Sequence, residues 1–330
     1  MAGNSGNVLQ ESGLPIAFDM GDVGQRALPP PNDRLGQSVR VWARSLSVMQ
    51  KEAIVLSALT GKAWRLASDE GPYLDGFDAA PCPLSFLGTG MVSSYMNEIL
   101  ALARERRIAV RSLVLVQDNF YTMEGSIVRG TMTGGALPVE LEIRIDADAA
   151  GDALRELLAD AVHASPLNGL LRGVHRSLFS LRLNGRPMTI GDVGAIDALD
   201  EPDPGVTLLE ALTSADYGEP QLIERVTAVE AVEGVPGGAH TSLSETQSRT
   251  LHLRAICTLR PDGVKEIEQH LFNPRGSTFR FLSDEAEGFG GRGLAPDAAS
   301  YMAAGIAFCF MTQLGRYASI VKRALDAYNV

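Results

Sequence analysis

The chain has 330 residues, 45% of them apolar, and a formal net charge of −11 from 29 basic and 40 acidic side chains. That length holds one large domain or two ordinary ones. The acidic balance argues against a broad basic face, so neither nucleic acid nor a membrane surface is expected as a partner.

Residues 1–36 are rich in Gly, Asn and Pro and close on LPPPNDRLG, which reads as an N-terminal arm outside the core. From Val39 the pattern turns strand-like: SVRVWARS, EAIVLSAL and KAWRLASDEG are short, apolar and separated by turn residues. The next stretch, PLSFLGTGMVSSYMNEILALARER, opens on proline and ends in charges, as a helix should over about 81–106. RSLVLVQDNFY, GSIVRGTM and PVELEIRIDAD alternate apolar and polar residues and predict three strands. AGDALRELLADAVHAS predicts a second helix, ending before SPLNGLLRG, and SLFSLRLNG one more strand. Residues 187–220 are acidic and proline-bearing and read as a linker. Strands resume at LIERVTAVEAV, SRTLHLRAICTL, KEIEQHLFN and STFRFLSDE, and the chain closes on a helix over about 295–327. Strands followed by helices, twice, define an α+β plan with antiparallel sheet.

An internal repeat organises this order. GKAWRLASDEGPYLDGFDAAPCPLSFLGTGMVSSYM (61–96) lies over GSTFRFLSDEAEGFGGRGLAPDAASYMAAGIAFCFM (276–311) without a gap, and 11 of 36 positions are identical. Composition alone gives roughly two or three. The matches include Arg65/Arg280, the SDE triplets, Gly76/Gly291, Pro81/Pro296, Gly90/Gly305 and Met96/Met311. The expected division is therefore an arm (1–36), a complete unit (37–186), a linker (187–220) and a truncated second unit (221–330).

The residues GFDAAPCPLSFLGTGMVSSYM and AAGIAFCF (303–310), with HASPLNGLL (163–171), resemble the OsmC-like, or organic hydroperoxide resistance, family. The resemblance covers roughly 38–186 and 248–330. It implies sheets wrapped around two long central helices, here 81–106 and 295–327 forming a pseudo-dimer within one chain. It also implies a thiol peroxidase, with a peroxidatic cysteine on the first helix of the unit and a resolving cysteine on the second. Carried over by position, Cys309 is the peroxidatic residue, Ser94 holds that position in the first copy, and Ser165 stands where the resolving cysteine would be. An external thiol reductant, or another cysteine of the chain, is then needed to return a sulfenic acid to the thiol. Arg280 is the candidate to activate Cys309, and Glu285 of the second SDE is the carboxylate to orient it, with Cys82 as a further pocket thiol at a helix start.

The residues themselves leave Cys309 open between a nucleophile and a small apolar residue in a buried helix. It lies far from its helix start, so the dipole gives it no help. Arg316, Arg249 and Arg254 are further arginines that could reach it, though Arg316 is two turns away. Cys82, Cys257 and Cys309 are too few for a disulfide framework, which fits a reducing cytoplasm. The opening MAGNSGNVLQESGLP has no basic start or apolar core, and the least polar run, 298–311, has the length of a core helix. His163, His175, His240, His252 and His270 lack metal-ligand spacing, so no metal and no cofactor are expected. The functional expectation is a thiol-dependent hydroperoxide reductase-like enzyme, or a descendant with altered chemistry in the same pocket, acting on a small apolar substrate or an organic hydroperoxide. The alternatives are a non-redox ligand-binding or scaffold protein, or a hydrolase using Ser94 with His163 or His175. A homodimer of whole chains is left open.

Overall fold

The computed structural model describes residues 6–27, 38–127, 129–173, 177–196, 221–229, 247–323 and 325–330. His175, His240 and the end of the linker lie outside them. The described residues form an α+β fold with antiparallel sheets. Short helix α1 (Val8–Ser12), strand β1 (Ala17–Asp19) and helix α2 (Gly21–Ala27) precede a meander of β2 (Val39–Ser45), β3 (Lys51–Ser57) and β4 (Ala63–Ser68). Helix α3 (Pro83–Glu105) follows, then β5 (Val110–Gly125), β6 (Thr133–Ala136), β7 (Glu140–Ala147) and helices α4 (Gly151–Ala164) and α5 (Pro166–Arg172). Short pieces β8 (Leu178–Phe179), β9 (Leu181–Leu183), β10 (Arg186–Met188) and β11 (Gly194–Ala195) pair only with one another. The rest comprises β12 (Ile223–Thr227), β13 (Gln247–Leu259), β14 (Lys265–Asn273), β15 (Thr278–Ser283) and the last helix, α6 (Ala298–Ile320).

Two main sheets result, ordered β1-β4-β3-β2 and β12-β15-β14-β13-β5-β6, with β7 also pairing β5. Helix α6 packs on β2 and β3 of the first sheet, α3 packs on β13 and β14 of the second, and the helices pack on each other. One apolar core runs through all these layers, from Val55, Trp64 and Leu66 through Phe86, Met96, Tyr301, Phe308 and Met311 to Ile267, Phe279 and Phe281. Phe86 is its hub, with ring centroids 5.4 Å from Phe281 and 5.2 Å from Phe308. Each such buried side chain contributes about 1.5–3 kcal/mol by leaving water. Helix α6 is also long and apolar enough to cross a membrane, but over half of that window is buried in this core.

The residues shared by 61–96 and 276–311 make the same contacts in both places. Asp69 accepts from the backbone N–H of Phe77 and Ala79, and Asp284 from those of Arg292 and Leu294, at 3.0–3.1 Å. Asp69 N donates to Pro81 O and Asp284 N to Pro296 O. A Cβ on Gly76 would collide with Glu70 O, and one on Gly291 with Glu285 O. The helices cross at Gly90 and Gly305: a Cβ on Gly90 would lie 2.8 Å from Ala298 O, and one on Gly305 2.8 Å from Leu87 N. Beyond the repeat window, Arg44 bridges Asn329 at the edge of β2, much as Thr258 of β13 meets Val114 of β5.

Two expectations are corrected. The arm is not outside the core: β1 extends the first sheet, and Leu9, Phe18 and Met20 are buried. Phe18 alternates with Asp19 too briefly for a strand pattern to register. GSIVRGTM is not a strand: Thr131 N bonds Ser126 O and Gly130 N bonds Ile127 O, so the segment turns, and the strand starts at Thr133.

One difference separates the two helices. On α3, Met91 and Tyr95 are covered from the α4 and α5 side, where Leu157, Ala161 and Leu167 are buried. The corresponding residues of α6, Ile306 and Phe310, are about half exposed, and Phe179 stacks on Phe310 at 6.2 Å.

Candidate functional site

The predicted site residues fall into three separate clusters. The first joins the two serines. Ser94, on the fourth turn of α3, lies 2.8 Å from Ser165, Oγ to Oγ. Ser165 caps α5, accepting from Asn168 N at 3.1 Å. Both are buried. The hydroxyl that meets Ser94 belongs to Ser165, not to a base, and His163 is exposed, so the arrangement lacks the nucleophile–base contact of a serine hydrolase.

The second cluster surrounds Cys309. On α6, Cys309, Thr312 and Arg316 are spaced so as to share one side of the helix. They meet the segment between β4 and α3. Thr312 Oγ1 donates to Glu70 Oε1 at 3.0 Å, and Tyr73 Oη donates to Glu70 Oε2 at 2.8 Å. Lys51, 1% exposed at the start of β3, donates to Met49 O at 2.7 Å. Cys82 lies 3.4 Å from the Ser85 hydroxyl. Electrostatics here oppose a thiolate. Cys309 is partly exposed at its surface, yet burial of the sulfur pushes its pKa well up, the Glu70 charge adds to that, and Lys51 only partly opposes it. Cys82 is pushed up to about 11 and Cys257 to about 12, both first by burial. The Lys51 ammonium is lowered by burial, against the pull of Glu70 and Asp69.

The third cluster is the counterpart of the second. Asn97 of α3 donates to Glu285 Oε1 at 2.6 Å, Lys265 donates to Asn97 Oδ1 at 2.6 Å, and Lys265 pairs with Glu285 at 3.5 Å. Glu285 also accepts from Ala298 N at the start of α6. Asp297, in the place of Cys82, caps α6 through Ser300 N at 2.7 Å and accepts from Ser57 Oγ at 2.6 Å.

Cys309 thus lies within electrostatic range of Glu70, Cys82 and Lys51, and Arg280 and Glu285 are engaged elsewhere. Arg280 is held instead by Glu224 at 2.9 Å and Glu266 at 3.3 Å, on neighbouring strands of the second sheet. Glu285 serves Asn97 and Lys265. The reason is that each long helix meets the SDE segment that precedes the other long helix, Thr312 at Glu70 and Asn97 at Glu285. Surface hollows of about 560 and 320 Å³ sit over Trp42 and Tyr328, and over Leu14 and Arg65. Neither is lined by Cys309 or Ser94. Among the described residues no group of three His, Cys, Asp or Glu side chains is placed to hold a metal.

Lys51, Tyr73 and Thr312 were missed. A signal existed for the first: KE opens both β3 and β14, but the offset there is one residue short, so an ungapped comparison starting at Gly61 passes it by.

No protein-family profile matches the chain, and no curated protein matches it. Among solved structures, an OsmC-like hydroperoxide resistance protein from Jannaschia sp. CCS1 is similar at 19% identity and a TM-score of 0.31, over 46% of this chain and 97% of that one. A likeness at that level leaves the fold class resting on the sheets and helices described above.

Proposed function

We propose that the chain is an internally duplicated form of the OsmC-like fold that has given up dithiol peroxide chemistry and binds a small molecule at the polar cluster around Glu70 and Cys309. One observation carries this reading: Ser94 and Ser165, the two positions where the resemblance places a cysteine pair, touch at 2.8 Å and hold hydroxyls. A hydroxyl pair gives up no electrons, so peroxide reduction there has no reductant. Burial first, and then the Glu70 and Cys82 charges, disfavour the Cys309 thiolate. Duplication is supported by the shared strand order and by the recurring Asp and Gly contacts. The protein is expected to work in the cytoplasm.

A second reading, reduction of an organic hydroperoxide by Cys309 with an external thiol, is favoured by the partial exposure of that residue. Peroxide consumption separates the two. Purified protein with cumene hydroperoxide and excess dithiothreitol is expected to consume peroxide no faster than the Cys309→Ser variant. Turnover that depends on Cys309 overturns the proposal.

A further inference from the structure

Arg316 stands out among the buried charged groups. It is 4% exposed, and its Nη2 has no hydrogen-bond partner. Other buried cations here are satisfied: Arg65 pairs with Glu52 at 2.9 Å, and Lys265 with Asn97 and Glu285. A guanidinium offers five N–H donors in a fixed fork, and leaving them unmade in a low-dielectric site is costly. The Glu70 charge favours the Arg316 guanidinium from a distance, but the hydrogen bonds that Glu70 accepts come from Thr312 and Tyr73, and Nη2 of Arg316 gains none. Asp75 and a second cation, Arg249 of β13, also lie within electrostatic range. Burial depresses the Arg316 guanidinium first and the Arg249 charge adds to that, while Arg249 is itself depressed by burial.

Next to this pair is an apolar wall. Arg249, Leu251 and Leu253 follow one another on one face of β13, and Leu251 and Leu253 pack with Tyr73, Leu74 and Tyr121. We propose that Arg316 and Arg249 bind the oxyanion group, carboxylate or phosphate, of a small ligand whose apolar body lies on Tyr73, Leu74 and Leu251. Planar forked donors suit a two-oxygen group, and a ligand lodged between two cations relieves their repulsion. The inference rests on the reading of the Glu70–Cys309 cluster as a ligand site. It adds the class of molecule that the site takes.

Calorimetric titration of the full chain with hexanoate, inorganic phosphate and neutral hexan-1-ol tests it. Hexanoate is expected to bind saturably, and its affinity to fall at least tenfold in Arg316→Met and in Arg249→Gln. Arg316→Met replaces a buried charge whose Nη2 is unpartnered by an apolar chain of similar length, so it should fold. Should it not, Arg249→Gln gives the same comparison. Phosphate displacing hexanoate assigns the site to phosphate-bearing ligands, and no displacement assigns it to carboxylates. Equal binding of hexan-1-ol and hexanoate, no binding of any probe, or unchanged hexanoate affinity in both variants overturns the anion site. Those results leave the peroxide experiment untouched, and Cys309-dependent turnover leaves Arg316-dependent binding untouched, so the two failures are distinguishable.

Discussion

Replacing both Ser94 and Ser165 by cysteine should create a disulfide without moving the backbone. The two oxygens are already 2.8 Å apart, 71 residues apart in sequence, on elements held by the same core. Closing a loop of that length in the unfolded chain is worth about 4 kcal/mol in the chain-entropy account, and realised values fall near 2–4 kcal/mol. Two effects reduce the figure: the hydroxyl pair is lost, and Asn168 N loses its acceptor, at about 1 kcal/mol each. A net gain of about 0–2 kcal/mol over the natural chain is expected in the oxidised double variant. The assay is urea unfolding with and without dithiothreitol, paired with a count of free thiols. Three free thiols in the oxidised protein, from Cys82, Cys257 and Cys309, and a midpoint that drops on reduction, are the expected results. Five thiols after exposure to oxidant, or a bridged protein less stable than its reduced form, would refute the assigned geometry.

The helix crossing is equally testable. Gly305→Val places a side chain against the Leu87 backbone, and overpacking there should cost about 1–3 kcal/mol in urea unfolding, with a similar cost for Gly90→Val. Glu52→Ala strands the buried Arg65 guanidinium and should cost about 3–5 kcal/mol, where an unchanged midpoint would contradict the pairing. Asp69 gives a pH signature. Burial lifts its folded pKa to about 6, above its unfolded value, although the backbone N–H of Ala79 opposes the rise. Between the two values the folded chain holds a proton that the unfolded chain releases, so this contribution to stability is full at low pH and falls as pH rises to about 6. The stability difference between the natural chain and Asp69→Asn should therefore shrink from pH 4 to pH 7. Growth over that range would reverse the assignment.

The strand and helix order was legible because apolar periodicity reports burial one element at a time. Repeat identities such as Asp69/Asp284 and Gly76/Gly291 were legible too, and their reason is now plain: each Asp ties down the loop that leads into the long helix, and each Gly leaves no room for a side chain. The contact of Ser94 with Ser165 followed from the family resemblance rather than from any pattern in the residues. What could not be read was which half supplies each neighbour. Thr312 serves Glu70 and Asn97 serves Glu285 only because the two helices cross, and crossing depends on packing between residues far apart in sequence. Arg280 illustrates the cost of reading one copy at a time. Strand alternation gave it a position on β15, but Glu224 and Glu266 on the adjacent strands decide where its charge goes.

The central claim is that Cys309 sits in a binding cluster and not in a peroxidatic site. The rate of Cys309 alkylation by iodoacetamide against pH, in a variant with Cys82 and Cys257 replaced by serine, tests this most directly. The account predicts a midpoint above the value of about 8.5 for a free cysteine, with no dimedone adduct after cumene hydroperoxide. A thiolate at neutral pH that forms that adduct would contradict it.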